Sequence, residues 1–250
     1  MIIVYFIPLF FGLIHFIEFI SIISRYAGVN SGNKALAFSM QRAVTMLTRL
    51  FTMLMLPALG FLIDSNINKE VYIYMVSASF FCATILCLLV LFLFKSWQVT
   101  FEEIIELYKR KNKLALQLFK LPYLFVRNVI NNSLPISNSI VSEKIDNTSY
   151  KIFFYSIVIY FIYSSSVFIS FYLALSFPEH KTMLSHLSGI SNMFAAVLLT
   201  FIIEPKIAVR IDNRPEKALH DTKMLLHGRL IGSGVLTQIL IILILIHEIH

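Results

Sequence analysis

Charged side chains are scarce in this chain of 250 residues, and their scarcity excludes a soluble globular protein. They make up 14% of the sequence, against roughly 25% in a usual soluble domain. Hydrophobic residues reach 58%, and the mean hydropathy is +0.78. The few charges leave long stretches empty, each about long enough to cross the roughly 30 Å hydrocarbon core of a bilayer. We expect contacts with membrane lipids and none with nucleic acid.

Cysteines and targeting signals are also lacking. The two cysteines, Cys82 and Cys87, lie in one apolar segment, which predicts neither a disulfide framework nor a metal site. The first apolar segment has no basic start and no small-residue cleavage site, and it carries His15 and Glu18 in its middle. It is therefore predicted to be a retained helix rather than a signal peptide.

Motifs of known membrane enzymes are missing as well. Leu107 stands where the CAAX-protease spacing needs an arginine after the pair Glu102-Glu103, and no serine lies in a G-x-S-G run. The acidic cluster of CDP-alcohol phosphotransferases is absent, and no His, Asp and Glu set has metal-ligand spacing within the apolar segments. We predict no metal, no cofactor and no catalytic set, although His15 and Glu18 keep an acid/base pair open.

What the sequence does contain is six apolar segments of membrane-spanning length. They predict an all-α integral membrane protein, a six-helix transmembrane bundle forming a single domain over residues 1–250. The second segment is the most polar, but its length fits a tilted span. The predicted helices are Ile2–Ser24, Ala35–Ile63, Val71–Phe94, Ile152–Ser176, Met183–Ile203 and Met224–Ile246.

Basic residues in the connections predict the orientation. The first, third and fifth connections carry sixteen Lys and Arg residues, whereas the second and fourth carry only Lys69 and Lys181. Because positively charged loops stay in the cytoplasm, both termini are predicted to lie outside.

The third connection, residues 95–150, is predicted to be cytoplasmic and to contain an amphipathic helix. Its apolar residues recur at helical spacing ahead of the basic run Lys109-Arg110-Lys111; they are Phe101, Ile104, Ile105 and Tyr108. We interpret this as an interfacial helix with its basic end on anionic headgroups. The alternative is an ordinary positive loop that fixes the topology. Residues 128–149, rich in Asn and Ser, predict a mobile loop.

Polar residues cluster in the first two predicted helices. In the first, His15 and Glu18 share a face, and Arg25 lies seven residues beyond Glu18. The second carries a continuous polar stripe, made of Ser39, Arg42, Thr45, Arg49 and Thr52. Lipid does not tolerate such a stripe, so it must face the bundle interior or water.

Depth along the helices predicts the partners of these charges. From the cytoplasmic ends, Glu18 lies roughly 9 Å deep, Arg42 roughly 10 Å and Arg49 roughly 21 Å, at 1.5 Å per residue. We therefore predict a Glu18–Arg42 ion pair, and no acidic residue at the level of Arg49.

Arginines outnumber carboxylates within the predicted spans, which predicts a cationic cavity. Against Arg25, Arg42, Arg49 and Arg229, the sequence places only Glu18 well inside the membrane, with Glu204 and Asp64 at its interfaces. Each arginine at mid-bilayer costs about 2.5–3.5 kcal/mol on insertion scales. The alternative is snorkelling, which accounts for Arg25 and Arg229 but not for Arg49.

The remaining helices carry fewer polar groups. Ser188 and Asn192 share a face of the fifth helix, either as helix-packing contacts or as cavity groups, and Gly228 and Gly232 predict close packing of the sixth. The third and fourth helices are mostly apolar and aromatic and are predicted to be lipid-facing or scaffold elements.

A multi-spanning bundle with a cationic interior and no catalytic motif favours transport or flipping of an anionic molecule. Guanidinium groups match phosphate oxygens bidentately, so a phospholipid or polyprenyl-linked headgroup fits. A membrane enzyme acting on lipid-linked phosphate intermediates stays open as an alternative.

Two stretches of the sequence form a distinctive pattern: Ile14–Glu18 followed by Arg25–Val29, and Leu187–Asn192 with Glu204-Pro205 beyond it. The first stretch resembles the N-terminal half of the Amj family of alternate lipid II flippases, and the second is similar to the second signature of that family. The resemblance covers nearly the whole chain. Glu204 stands where we expect aspartate, and Thr52 where we expect asparagine. Further matching positions are Ala37, Ser39, Arg49, Pro57, Gly60, Asp64 and Asp212.

The resemblance implies a protein of the bacterial cytoplasmic membrane that moves undecaprenyl-diphosphate-linked peptidoglycan precursor, or lipid II, from the inner to the outer leaflet. His15 and Glu18 would order the diphosphate ligands or couple a proton, while Ser188 and Asn192 would hydrogen-bond the sugars. A structural partner of the cell-wall synthesis machinery stays open as a second alternative function, and so does a homo-oligomeric state. The implied diphosphate ligands are Arg25, Arg42, Arg49 and Arg229.

Overall fold

The protein is built from helices throughout the part of the chain that the computed structural model describes, residues 3–111, 113–131 and 146–249. The helices are α1 (Ile3–Asn30), α2 (Lys34–Asp64), α3 (Lys69–Phe92), α4 (Phe94–Lys111), α5 (Leu114–Leu118), α6 (Leu121–Asn131), α7 (Asn147–Ser176), α8 (Lys181–Leu198), α9 (Glu204–Asn213), α10 (Pro215–Leu230) and α11 (Thr237–Ile249). Two π-helical segments, Leu199–Ile203 and Ile231–Leu236, join α8 to α9 and α10 to α11.

Six of the resulting helical stretches are long and apolar enough to cross a membrane. They are α1, α2, α3, α7, the stretch Pro178–Asn213 that contains α8 and α9, and the stretch Pro215–Ile246 that contains α10 and most of α11. The predicted all-α bundle of six spans is therefore confirmed. Several helices continue beyond the predicted apolar segments. Hydropathy detects only the apolar part of a helix, and Lys and Arg residues beyond that part are good helix formers.

The additional turns are fixed by hydrogen bonds and by one close approach. The Asp146 carboxylate caps α7 by accepting a hydrogen bond from the Ser149 N–H at 3.0 Å. A Cβ atom on Gly28 would lie 2.5 Å from the Cβ atom of Ala37, so only glycine lets α1 and α2 pack this closely at their hairpin. The first helix consequently continues to Asn30, six residues past the predicted end.

An ion-pair network ties the start of α7 to α9 and α10. Arg210 donates to Asp146 at 2.7 Å and to the buried Asp221 at 2.8 Å. Burial by itself raises the pKa of Asp146, but the Ser149 N–H and the Arg210 guanidinium outweigh it and hold that pKa well below its usual value. Asp146 therefore stays ionised at neutral pH, and the contacts of Arg210 with Asp146 and Asp221 fix these three helices relative to one another.

The spans form two groups. Helix α1 packs against α2 and α3, and α7 packs against α8, α10 and the second π-helical segment. Of the six spans, α2 and the α8–α9 stretch are the least buried inside the protein. A cavity separates these two helices, and it is the candidate site.

The amphipathic segment after α3 is helical, as predicted, and its apolar face packs inside the protein; contact of its basic end with anionic headgroups stays a prediction. Phe101, Ile104 and Ile105 on α4 are fully buried in the protein, and the Trp97 ring stacks on Phe125 of α6 at 3.8 Å. Helices α1 and α6 cover this apolar face, so it is not free to enter the membrane.

The predicted loop at residues 128–149 is wrong at both of its ends. Asn128 to Asn131 belong to α6, and Asn147 to Ser149 belong to α7. The intervening part of that prediction, residues 132–145, lies outside the described residues.

Candidate functional site

A cavity of about 550 Å³ lies between α1, α2, α7, α8 and α10. Small-molecule sites usually measure about 300–1,000 Å³, so this volume is sufficient for a ligand group. Its polar lining residues are Glu18, Ser21, Gln41, Thr45, Thr48, Arg49, Thr52, Tyr160, Tyr163, Glu204 and Arg229. Its apolar lining residues are Ile22, Met53, Leu56, Ile159, Ala195, Ala196 and Leu199.

The polar stripe of α2 supplies one wall of the cavity. Thr45, Thr48 and Thr52 each donate their hydroxyl hydrogen to a carbonyl of their own helix, at 2.6–3.0 Å. Their hydroxyl oxygens keep free lone pairs toward the cavity. Arg49 also lines the cavity, whereas Arg42 is exposed and is not among the lining residues.

Arg49 is the exposed charge of this wall. No carboxylate among residues 3–111, 113–131 and 146–249 forms a salt bridge with it. This agrees with the expectation from depth that no acidic residue lies at its level.

The predicted Glu18–Arg42 ion pair is wrong, because Glu18 pairs with Arg229 instead. The second Glu18 oxygen accepts a hydrogen bond from the Tyr163 hydroxyl at 2.9 Å. Both charges are removed from solvent, with 7% of Glu18 and 3% of Arg229 exposed. Arg229 therefore does not snorkel to the membrane surface.

Two further groups hold the Arg229 guanidinium in place. Tyr160 presents its ring face 4.5 Å from the guanidinium carbon, and His15 Nδ1 lies 3.5 Å from Nη2. The Nε–H of Arg229 has no hydrogen-bond partner in the described part of the protein. His15, Glu18 and Arg229, all selected from the sequence, thus form one cluster at the cavity.

A second ion pair joins the buried Arg25 to the partly buried Glu204. Arg25 is fully buried and donates from Nη1 to Glu204 Oε2 at 2.6 Å. Its Nε and Nη2 groups lack hydrogen-bond partners among the residues that the structure describes. Arg25 does not line the cavity itself, but its partner Glu204 does. Because Arg25 is fully buried inside the protein, the snorkelling alternative is wrong for Arg25 as well.

The π-helical segment before Glu204 sets the direction of that carboxylate. Pro205 has no N–H group, and its ring clashes with the carbonyl of Phe201 in a regular α-helix. The wider turn removes the clash, and the Glu204 N–H bonds to the Leu199 carbonyl five residues earlier. Leu199 and Glu204 thereby both face the cavity.

Ser188 and Asn192 lie away from the cavity lining. The Asn192 side-chain oxygen accepts a hydrogen bond from Ser166 of α7 at 2.7 Å, and the Ser188 hydroxyl donates to the Ser185 carbonyl at 2.8 Å. These contacts favour the helix-packing interpretation, and a role as sugar ligands stays a prediction.

Counting formal charges in space gives a smaller excess than counting them along the sequence. Arg229 and Arg25 are paired with Glu18 and Glu204. Arg49 is left as the charged lining residue without a salt bridge among the described residues.

The contribution of the fourth span to this site is not predicted by the sequence. The pattern of α7 predicts a lipid-facing or scaffold helix, yet its Tyr160 and Tyr163 contact Arg229 and Glu18. The two tyrosines are three residues apart and so share a helix face, but many aromatic residues in the same segment hide that spacing.

Comparisons with known proteins assign the chain to a family. The sequence model of the family described as "Amj: Alternate to MurJ" matches residues 10–245. The lipid II flippase Amj of Bacillus subtilis (strain 168) is 26% identical over 217 residues, which cover 84% of this chain and 80% of that protein. No solved structure matches. With six membrane-spanning helices and a bacterial relative, this is a multi-pass protein of the bacterial cytoplasmic membrane. The chain belongs to the Amj family.

Proposed function

We propose that this protein is a lipid II flippase that carries an undecaprenyl-diphosphate-linked precursor across the membrane with its diphosphate bound in the cavity. The observation that carries the proposal is the position of Arg49, an exposed arginine on a cavity between membrane-spanning helices. A cation in such a place is costly unless an anion joins it. The name of the Bacillus subtilis relative supplies lipid II as the anionic lipid.

Arg49 makes the first contact with the diphosphate. Its guanidinium group forms two parallel hydrogen bonds with phosphate oxygens, a geometry that a lysine ammonium cannot reproduce. The hydroxyl groups of Thr45 and Thr52 lie on the same helix face and complete the polar wall.

The two ion pairs provide further ligands by exchanging partners. Without substrate, Glu18 and Glu204 act as counterions of Arg229 and Arg25. A diphosphate competes for the guanidinium groups and also satisfies N–H groups that the carboxylates leave unpaired. Glu18 keeps its hydrogen bond from Tyr163 during this exchange.

The apolar part of the cavity suits the polyprenyl chain. Met53 and Leu56 of α2 face Ala196 and Leu199 of the α8 stretch across the cavity, and the lipid-facing sides of both helices are largely exposed. An amphiphile then places its charged group among the arginines while its chain leaves between α2 and α8. Movement of the precursor from the inner to the outer leaflet follows this path.

Neither alternative function has a specific observation in its favour. The acid/base pair required by a membrane enzyme is engaged elsewhere, since His15 and Glu18 both contact Arg229. A purely structural partner of the cell-wall machinery has no need of an arginine on an intramembrane cavity.

Leaflet accessibility of lipid II tests the proposal in cells that depend on this protein for flipping. Arg49→Ala is expected to lower outer-leaflet lipid II by about tenfold or more, since a lost charge-assisted hydrogen bond contributes about 1.5–3 kcal/mol. Arg42→Ala is the matched control, because Arg42 lies on the same helix, is exposed and does not line the cavity.

Both variants must reach the membrane at wild-type levels. Equal lipid II exposure in the two variants would refute the proposal. So would turnover of a lipid-linked precursor by the purified protein without any flipping.

A further inference from the structure

Helices α5 and α6 present a row of large apolar side chains that no part of the described protein covers. Each of these residues is more than half exposed, and Phe119 reaches 83%. Tyr123, Val126 and Ile130 recur at spacings of three and four residues, which places them on one side of α6. Leu116 of α5 and Phe119, in the turn between α5 and α6, precede them along the chain. We name this row the α5–α6 stripe; it consists of Leu116, Phe119, Tyr123, Val126 and Ile130.

The opposite side of α6 is fixed to the protein. Leu124 is buried, and the Asn128 side chain donates a hydrogen bond to the Thr100 hydroxyl of α4 at 3.1 Å. Arg127 additionally binds Glu103 of α4. The stripe therefore points outward on a helix that cannot easily turn it inward.

The charge around the stripe is positive. Residues 95–127 contain seven basic and three acidic residues, a net charge of +4, and Glu103 is already neutralised by Arg127. The exposed cations nearest in sequence are Lys113 and Lys120, with Lys109 and Arg110 at the end of α4. An apolar row with lysines beside it matches the acyl boundary and the anionic headgroups of a membrane surface.

The fold also holds this segment near the bilayer. Only Leu93 separates the membrane-spanning α3 from α4, and Glu102 of α4 accepts a hydrogen bond from Asn30 at the end of α1. Helix α6 packs on α4, so α4 connects the helix that carries the stripe to the ends of two membrane-spanning helices.

We propose that the α5–α6 stripe is a membrane-docking surface that inserts into the headgroup and acyl boundary of the leaflet next to it, with its lysines on anionic lipids. On the predicted orientation this is the cytoplasmic leaflet. The interfacial role predicted for α4 thus belongs to the segment that follows it, since α4 uses its own apolar face for packing on α1. This inference does not depend on the proposed transport function.

Depth-dependent fluorescence quenching of the full-length protein in nanodiscs tests the proposal. Single cysteines at Phe119, Tyr123 and Ile130, in a background with Cys82→Ala and Cys87→Ala, carry an environment-sensitive fluorophore. Nitroxide-labelled lipid is expected to quench these positions at least about threefold more than a fluorophore at Lys120, with aqueous iodide giving the reverse order. Nanodiscs of phosphatidylcholine alone are expected to weaken the lipid quenching relative to nanodiscs that also contain phosphatidylglycerol.

Strong iodide quenching at Phe119, Tyr123 and Ile130 in both kinds of nanodisc would overturn the proposal. Positions that are open to iodide in nanodiscs but protected in native membranes would indicate a protein partner on the stripe, and would overturn it as well.

Discussion

Glu18 and Arg229 form an ion pair that water barely reaches, and the energetics of such a pair are asymmetric. The desolvation of two charges offsets most of their attraction, but removing one partner leaves the other charge uncompensated in a dry site. Glu18→Gln takes the counterion from Arg229 while keeping the side-chain volume. We expect the free energy of unfolding to fall by about 3–5 kcal/mol, measured by thermal unfolding of the detergent-solubilised protein.

Two further variants make this measurement specific. Combining Glu18→Gln with Arg229→Gln removes both charges. The double variant is expected to recover part of the stability lost in the single variants, which a double-mutant cycle measures. Glu103→Gln is the matched control, since Glu103 and Arg127 are 28% and 40% exposed and such pairs contribute about 0–1 kcal/mol. Similarly small losses of unfolding free energy in Glu18→Gln and Glu103→Gln would contradict a buried ion pair at Glu18.

At the scale of single residues, the sequence identifies which groups need partners but not which partners they find. Glu18 in the middle of an apolar helix requires a nearby cation, and that expectation is correct. The sequence favours Arg42 because α1 and α2 are joined by a short hairpin, whereas Arg229 is 211 residues away from Glu18 along the chain. Which arginine pairs with Glu18 depends on how each helix is rotated about its axis, and packing sets that rotation.

At the scale of elements, glycine determines how closely α10 and the π-helical segment after it approach α7. A Cβ atom on Gly232 would overlap the Ile157 carbonyl oxygen, and one on Gly228 would lie 2.6 Å from the Phe153 oxygen. We expect Gly232→Ala to lower the free energy of unfolding by about 1–3 kcal/mol through overpacking, measured by thermal unfolding. The added methyl group would push the Gly232 segment away from α7 and so move Arg229 relative to Glu18. Transport is therefore expected to fall together with stability.

Gly189→Ala provides the control for helix propensity. Gly189 lies inside α8, and a Cβ atom there meets nothing within 4 Å. Replacing it is expected to leave stability unchanged or to raise it by up to about 1 kcal/mol. A loss in Gly189→Ala as large as that in Gly232→Ala would contradict the packing explanation.

The elements themselves were largely predictable, and the errors have a common cause. Hydropathy finds all six spans because the bilayer imposes a length on apolar segments. It says nothing about how far a helix continues past its apolar segment, as α1 does to Asn30, nor about what covers an amphipathic face, as at Trp97 and Phe101 of α4. Pro205 marks a break in the fifth span, but whether a proline produces a kink, an end or a π turn depends on the neighbouring helices.

At the scale of the whole molecule, contacts between connections agree with six antiparallel crossings. Lys181, after α7, donates to Asn66 between α2 and α3 at 2.7 Å, so those two connections lie on one side. Lys34 at the start of α2 donates to the Asp212 carbonyl near the end of α9 at 3.0 Å, on the other side. The distribution of basic residues predicts that the second side is cytoplasmic, which places both termini outside.

The gap between α2 and the α8 stretch is expected to change width during transport, because a diphosphate with its attached sugar must pass while the rest of the bundle stays packed. A cysteine pair at Met53 and Ala196, which both line the cavity and are exposed, allows a short bis-maleimide to join the two helices. In a background with Cys82→Ala and Cys87→Ala, this crosslink is expected to abolish the appearance of lipid II in the outer leaflet.

A second cysteine pair separates a specific block from a general loss of flexibility. Ser77 of α3 and Gln238 of α11 are in contact away from the cavity, with the Gln238 side chain 3.4 Å from the Ser77 carbonyl. Crosslinking this pair is expected to leave transport near the uncrosslinked level, since these two helices need not separate for a lipid to enter between α2 and α8. Full transport with Met53 and Ala196 crosslinked would place the lipid path elsewhere, whereas a block by both crosslinks would mean that the whole bundle rearranges.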